Sequence, residues 1–398
     1  MKPRMSATVC RARAVKFIVL LGIVSLFADV TYEGARSITG PFLGTLGASA
    51  IVVGVVSGFG ELVGYALRLV SGYISDRTRK YWAITLFGYV VNLLVVPALA
   101  LAGRWEIAAA LIIAERFGKA IRNPPRDAIL SHATSQVGHG WGFGLHEALD
   151  QIGAVLGPLI VSVVLFLKGT YQSSFAILII PAIMAISVLI VARILYPTPR
   201  DMERASELKP LRGFPRTYWL YLVAVAFIAA GYTDYPLIAY HFGKVSSIPR
   251  DWIPTLYALA MGVDAVAALI FGRLFDRIGL TAMVPAVLMS AFFAPLVFLG
   301  GFGLALAGVI LWGIGMGAQE SIMRAAIAGM ISAERRGTAY GVFNTGYGIF
   351  WFAGSALMGY LYDVSVPSLI AFSVVAQLAS IPILIIVRQV ATTERKVA

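Results

Sequence analysis

Three groups of ionisable residues stand inside apolar stretches of this chain, each with a spacing that could do chemistry. Asp29, Glu33 and Arg36 follow one another at steps of four and three residues, with Tyr32 beside them. On a helix those steps form one stripe. Two carboxylates one turn apart in apolar surroundings are candidates to bind and release a proton, because burial and like charge both disfavour joint ionisation. The competing reading is a Glu33–Arg36 ion pair that only fixes packing. Glu115, Arg116, Lys119 and Arg122 form the second group. Glu115, Lys119 and Arg122 share a helical face, and Arg116 points off it. In the third group Glu147 and Asp150 lie one turn apart, just before Gly153 and Gly157-Pro158. They too can share a proton.

The second half of the chain carries fewer such groups. Asp234 precedes Pro236 and has no basic residue near it in sequence, which makes it a functional candidate close to a helix break. Asp264 falls in the middle of an apolar run. Glu320 and Arg324 are four apart, a spacing that suits a structural ion pair as well as a site. His132, His139 and His146 recur at seven-residue steps. That step is too long for adjacent histidines to share one metal, unlike an HxxxH pair, so no metal site is expected. Cys10 is the single cysteine, which excludes an internal disulfide and a cysteine-based metal site. The chain has no HExxH, no GxSxG and no Walker A stretch. An enzyme is not expected, ATP is not the direct driver, and no cofactor is implied.

The elements that position these residues follow from composition. The chain is 59% hydrophobic and only 13% charged over 398 residues, whereas a soluble domain is about 25% charged. A charge inside a bilayer costs about 2.5–3.5 kcal/mol at least, so such residues face a cavity or a partner. Twelve stretches are long and apolar enough to span a membrane: 15–39, 48–74, 81–102, 105–123, 139–167, 173–196, 216–243, 252–275, 280–300, 303–331, 336–362 and 365–387. The fourth is expected to end at Asn123-Pro124-Pro125. The apolar run near the N-terminus contains Asp29 and Glu33 and reads as a retained first helix rather than a leader. The net charge of +12 sits between the apolar runs. It therefore sets orientation, with both termini and the basic loops cytoplasmic, and does not indicate nucleic-acid binding. Residues 1–196 and 216–398 form two halves, joined by a basic linker at 197–215.

The halves are copies. Gly72-Tyr-Ile-Ser-Asp76-Arg77-Thr-Arg79-Lys80 is matched by Gly272-Arg-Leu-Phe-Asp276-Arg277 at an offset of 200 residues. Phe143-Gly144 and Gly157 recur as Tyr340-Gly341 and Gly354 at an offset of 197. Half-chain repeats in a membrane protein point to a transporter with its site between the repeats. Expected helices 3, 6, 9 and 12 have no charge in their interiors, so every third helix is built for lipid.

GxxxDRxxRK between helices 2 and 3, with a degenerate copy between helices 8 and 9, resembles the signature of the major facilitator superfamily (MFS). The resemblance implies an all-α fold of twelve transmembrane helices in two pseudo-symmetric six-helix bundles. It further implies alternating access, a central cavity lined by helices 1, 4, 7 and 10, and a monomer in the cell membrane. Arg116 is the best match to the helix 4 arginine tied to proton movement in that superfamily. Gly153-xxx-Gly157-Pro158 resembles the core of the drug–proton antiporter motif, although the following Gly-Gly pair is Val161-Ser162 here. On this reading Asp29, Tyr32, Glu33, Arg36, Arg116, Glu147, Asp150, Asp234, Glu320 and Arg324 bind substrate or protons. Gly72, Asp76, Arg77, Arg122, Gly272, Asp276 and Arg277 gate, with Asp76 expected near Arg122 or Arg126. The function implied is secondary active transport, with proton-coupled export of a small organic molecule. The alternatives are a divalent-metal carrier resembling the ferroportin branch, using Asp29, Asp234 and His241, or a polytopic membrane enzyme or sensor.

Overall fold

A computed structural model describes residues 7–134, 137–197, 214–245, 248–331 and 336–397. Every regular element among them is helical, and the described residues contain no strand. In chain order the α-helices are α1 (Ala7–Thr45), α2 (Ala50–Thr78), α3 (Tyr81–Ala98), α4 (Trp105–Thr134), α5 (His139–Phe166), α6 (Tyr171–Ile177), α7 (Ile179–Leu195), α8 (Arg216–Gly231), α9 (Tyr235–Val245), α10 (Trp252–Ile278), α11 (Met283–Ala291), α12 (Phe293–Leu299), α13 (Phe302–Met330), α14 (Arg336–Val364) and α15 (Val366–Val397). Each stretch read from hydropathy falls on helix, but three are broken. Leu178 separates α6 from α7, Phe292 separates α11 from α12, and Tyr232 to Asp234 separate α8 from α9. Among the described residues nine segments are long and apolar enough to cross a membrane. One of these, Trp252–Leu299, covers 48 residues and turns at Gly279, whose φ of 62° suits glycine. Neither α4 nor α14 is among the nine. Ion-pairing residues interrupt the apolar character of α4.

One expectation is overturned outright. The helix does not stop at Asn123, because α4 runs through Pro124 and Pro125 to Thr134. A proline inside a helix deprives the carbonyl four residues earlier of its donor. Here the carbonyl of Ile121, four before Pro125, receives the Ser71 hydroxyl of α2 at 2.6 Å. A hydroxyl from a neighbouring helix replaces the missing amide, which is how helices in lipid tolerate proline.

By contacts the chain forms two compact units: 1–35, 67–102 and 110–207 in the first, and 36–66, 103–109 and 208–398 in the second. The division cuts through α1 and α2, because the end of α1 and the first half of α2 pack against later helices. Glycine permits this: side chains at Gly40, Gly54 and Gly58 would collide with backbone or side-chain atoms of Pro236, Ser355 and Phe352. The carboxylate of Asp363 also accepts the amides of Ala50 and Ile51 at 3.3 and 3.0 Å, capping α2. The linker at 197–215 lies almost wholly outside the described residues.

Candidate functional site

Close approach of helices builds the first unit's interior. A side chain at Gly153 would strike the carbonyl of Leu26, and one at Gly157 the carbonyl of Val30. The GxxxG face of α5 therefore lies backbone to backbone on α1. That contact turns Asp29, Tyr32 and Glu33 toward α4.

On α4 the cations answer them. Arg122 is 1% exposed by side chain and places Nη2 3.8 Å from Asp29 Oδ1. Its guanidinium lies 4.2 Å from the ring centre of Tyr89 on α3. Its Nε and Nη1 have no hydrogen-bond partner. One turn earlier, Lys119 Nζ is 3.9 Å from Glu33 Oε1 and 3.5 Å from the ring centre of Tyr32. Arg116 does not point away, as its helical position suggested. It reaches the same tyrosine, stands 4.8 Å from the ring centre, and donates Nη1 to the Tyr32 hydroxyl. Its Nε is also 3.4 Å from Glu115 Oε2. Long side chains let a residue off the stripe bend back to it. Glu115 is further held by Asn92 Nδ2 of α3, which donates to its Oε1 and to its backbone carbonyl at 3.1 Å.

The seam continues toward the end of α4. His146 Nε2 of α5 lies 2.9 Å from Ser25 Oγ, and Arg126 donates to the same hydroxyl at 3.2 Å while pairing with Asp127. Asp150 is half-buried and acts on Asp29 through space, and its Oδ1 has no hydrogen-bond partner. Glu147 is exposed. The arrangement sets Asp29, Glu33 and Glu115 against Arg116, Lys119 and Arg122, a balanced buried network with two long pairs.

In the second unit Asp234 immediately precedes α9 and is buried. The sequence shows no basic neighbour, but the structure supplies one from 198 residues away: Arg36 Nη2 donates to Asp234 Oδ1 at 2.7 Å. The same nitrogen is 3.1 Å from Glu61 Oε1. Asp264 is buried on α10. Glu320 is half-buried on α13, and the side chain of Arg324 lies outside the described residues. His241, offered for a metal, has Nδ1 3.0 Å from the Tyr362 hydroxyl. Among the described residues no group of three or more His, Cys, Asp or Glu could hold a metal ion.

The motif residues take separate places. Asp76 is exposed and accepts a hydrogen bond from Tyr81 at 2.8 Å, and Arg77 donates to Tyr73 at 3.1 Å. Arg122 is engaged with Asp29 and Tyr89. A side chain at Gly72 would touch Pro124 of α4, and one at Gly272 would meet Ser321 of α13. Asp276 and Arg277 are exposed. The sequence reading missed Tyr89, Asn92 and Glu61 as site residues. Two are uncharged and lie on a helix assigned to lipid, and Glu61 has no charged partner within a turn.

Among the described residues, nine segments apolar enough to cross a membrane, with ion pairs buried among the helices, have the make-up of a multi-pass membrane protein. The sequence pattern of the Major Facilitator Superfamily matches residues 21–355 and 232–398, and the chain belongs to that superfamily. An uncharacterised protein of Mycobacterium tuberculosis is 38% identical over 393 residues, covering 97% of this chain and 96% of its own length. An uncharacterised MFS-type transporter of Methanocaldococcus jannaschii is 28% identical over 362 residues, covering 88% of this chain and 89% of its own. Among solved structures, the nucleoside transporter NupG superposes with a TM-score of 0.74 at 12% identity, over 94% of this chain and 98% of that one. A peptide transporter of the POT family superposes at 0.74 with 13% identity, over 98% of this chain and 99% of that one. At such identities the likeness shows the fold alone. The protein is a multi-pass membrane transporter for a small molecule.

Proposed function

We propose that this protein is a secondary active transporter of the cell membrane, working by alternating access, which exports a small organic molecule in exchange for protons. Both termini are cytoplasmic on this reading, and residues 1–196 and 216–398 act as the two moving bundles of a monomer. The observation that carries it is the pair of long, buried contacts between α1 and α4, Asp29–Arg122 at 3.8 Å and Glu33–Lys119 at 3.9 Å. Both distances exceed a hydrogen bond, and two nitrogens of Arg122 have no hydrogen-bond partner. Such a pair is close enough to hold charge and loose enough to exchange a partner for a proton. A proton on Asp29 would free Arg122, and a state-dependent proton affinity couples binding to conformation.

A thermal-shift screen of organic cations and anions at two pH values identifies a ligand, since binding stabilises by mass action and proton linkage makes that shift pH-dependent. The ligand is then tested in proteoliposomes under an imposed pH gradient. Asp29→Asn should abolish uphill accumulation while counterflow of labelled against unlabelled ligand survives. Uphill accumulation by Asp29→Asn at the wild-type rate would remove Asp29 as the coupling group.

A further inference from the structure

One end of the first unit gathers cations around an aromatic hub. Trp82, at the start of α3, donates Nε1 to the carbonyl of Tyr196, just past α7, at 3.1 Å. The Tyr196 hydroxyl donates to the carbonyl of Arg13 in α1 at 3.2 Å. Phe17 of α1 meets both rings, with centroids 6.2 Å from Trp82 and 4.6 Å from Tyr196. Three helix ends far apart in sequence are thereby joined, and each carries basic residues within a turn of the hub. These are Arg13 and Lys16 on α1, Arg79 and Lys80 just before α3, and Arg193 on α7. Arg13 lies beside the Tyr196 ring, with Cζ 5.9 Å from its centre. Lys16, Arg79, Lys80 and Arg193 are exposed, and none of the four has an ion pair among the described residues. Asp76, in the last turn of α2, accepts from Tyr81 instead. Directly beside the cations runs an apolar stripe on α7. Ile190, Val191, Ile194 and Leu195 are 42 to 71% exposed and share one helical face.

We propose that this end of the first unit binds an anionic phospholipid. Lys80 and Arg193 hold its phosphate, with Lys16 and Arg79 beside them, and its acyl chains lie along Ile190, Val191, Ile194 and Leu195. The two features match the two parts of such a lipid. A soluble phosphate would use the cations and leave the apolar stripe uncovered. A zwitterionic lipid would cover the stripe but bring its own cation to the basic cluster. Tryptophan and tyrosine favour headgroup depth because one end of each is apolar and the other polar. Lysine and arginine extend their apolar stems along the hydrocarbon and keep the charge at the surface. Near an anionic leaflet each such cation adds to the attraction. One lipid seated here would bridge α1, α3 and α7, the same helix ends that the hub links. The inference goes beyond the transport reading and uses neither Asp29 nor a proton.

The test reads lipid binding without transport. Native mass spectrometry of the full-length protein, titrated in detergent with dioleoyl phosphatidylglycerol or dioleoyl phosphatidylcholine, gives the affinity for each. The wild type should hold phosphatidylglycerol about tenfold more tightly. Lys80→Gln/Arg193→Gln should bring the two lipids to equal affinity. Arg273→Gln/Arg277→Gln removes the same charge from exposed positions of the second unit and should keep the preference. Equal losses in the two double variants overturn the proposal, since any basic surface would then serve. So does an undiminished preference in Lys80→Gln/Arg193→Gln. Arg193→Gln alone should already weaken phosphatidylglycerol severalfold, and it decides the matter if the double variant does not fold. Inorganic phosphate that raises the melting temperature as much as phosphatidylglycerol does also overturns the proposal, in favour of a soluble anion. Asp29→Asn should keep the lipid preference, so the coupling reading and this one fail separately.

Discussion

Tyr32 and Tyr232 stand 200 residues apart, the offset that relates the two GxxxDR stretches. Their surroundings are opposite. Tyr32 is clasped by two cations, Arg116 and Lys119, within a network of buried acids. Tyr232 donates its hydroxyl to the carbonyl of Trp312 and sits among the rings of Phe293, Trp312 and Trp351, with centroids 5.2 to 5.7 Å away. Trp312 in turn donates Nε1 to the carbonyl of Thr233 at 2.9 Å, tying down the break between α8 and α9. The ring of Tyr32 is thus met mainly by charges and that of Tyr232 mainly by other rings, although the second unit also buries the Arg36–Glu61–Asp234 group. A charged interior is held by interactions that a proton can redistribute. An aromatic interior is held by area and ring geometry, which pH does not touch.

What the units share should be most sensitive. Gly157 packs on the carbonyl of Val30, and Gly354 packs in the same manner on that of Ala230. Gly157→Val and Gly354→Val should each cost more than the roughly 3 kcal/mol of ordinary overpacking, because backbone cannot move aside as a side chain can. Size-exclusion profiles and melting in detergent should show both variants aggregated or strongly destabilised. If only one is affected, the equivalence of the two helix crossings is broken.

The next effect separates the units. Arg122→Met takes from Asp29 its ion-pair partner, leaving Lys119 to act on it through space, and should destabilise by about 3–5 kcal/mol, the range for removing one partner of a buried ion pair. The double variant Asp29→Asn/Arg122→Met should recover much of that loss. Denaturant melting that shows no recovery would mean that Arg122 acts mainly through Tyr89. Around Tyr232 the matching change is smaller. Tyr232→Phe keeps the ring and loses one buried hydrogen bond, for about 1 kcal/mol. A Tyr232→Phe loss as large as that of Arg122→Met would erase the proposed contrast.

Much of this molecule is legible without coordinates. Lipid demands satisfied backbone over long apolar runs, so hydropathy alone places the helices. The repeated Gly72–Arg77 stretch, matched by Gly272–Arg277, supports the superfamily. The stripe Asp29, Tyr32, Glu33 on α1 follows from helical periodicity, and the structure puts all three residues on the α4 seam. Partners across helices are another matter. Arg36 reaches Asp234 over 198 residues, and no local pattern encodes that reach. Arg116 joins Tyr32 because a long side chain bends, which a wheel of Cβ directions does not show. Pro125 does not end α4, and Ser71 of α2 supplies a donor to the carbonyl that this proline leaves bare. Local chain physics determined where the helices lie and which residues are chemically expensive. Only the packing of helices decided how Asp29, Glu33 and Asp234 are met, since the cation that faces each of them comes from far away in sequence.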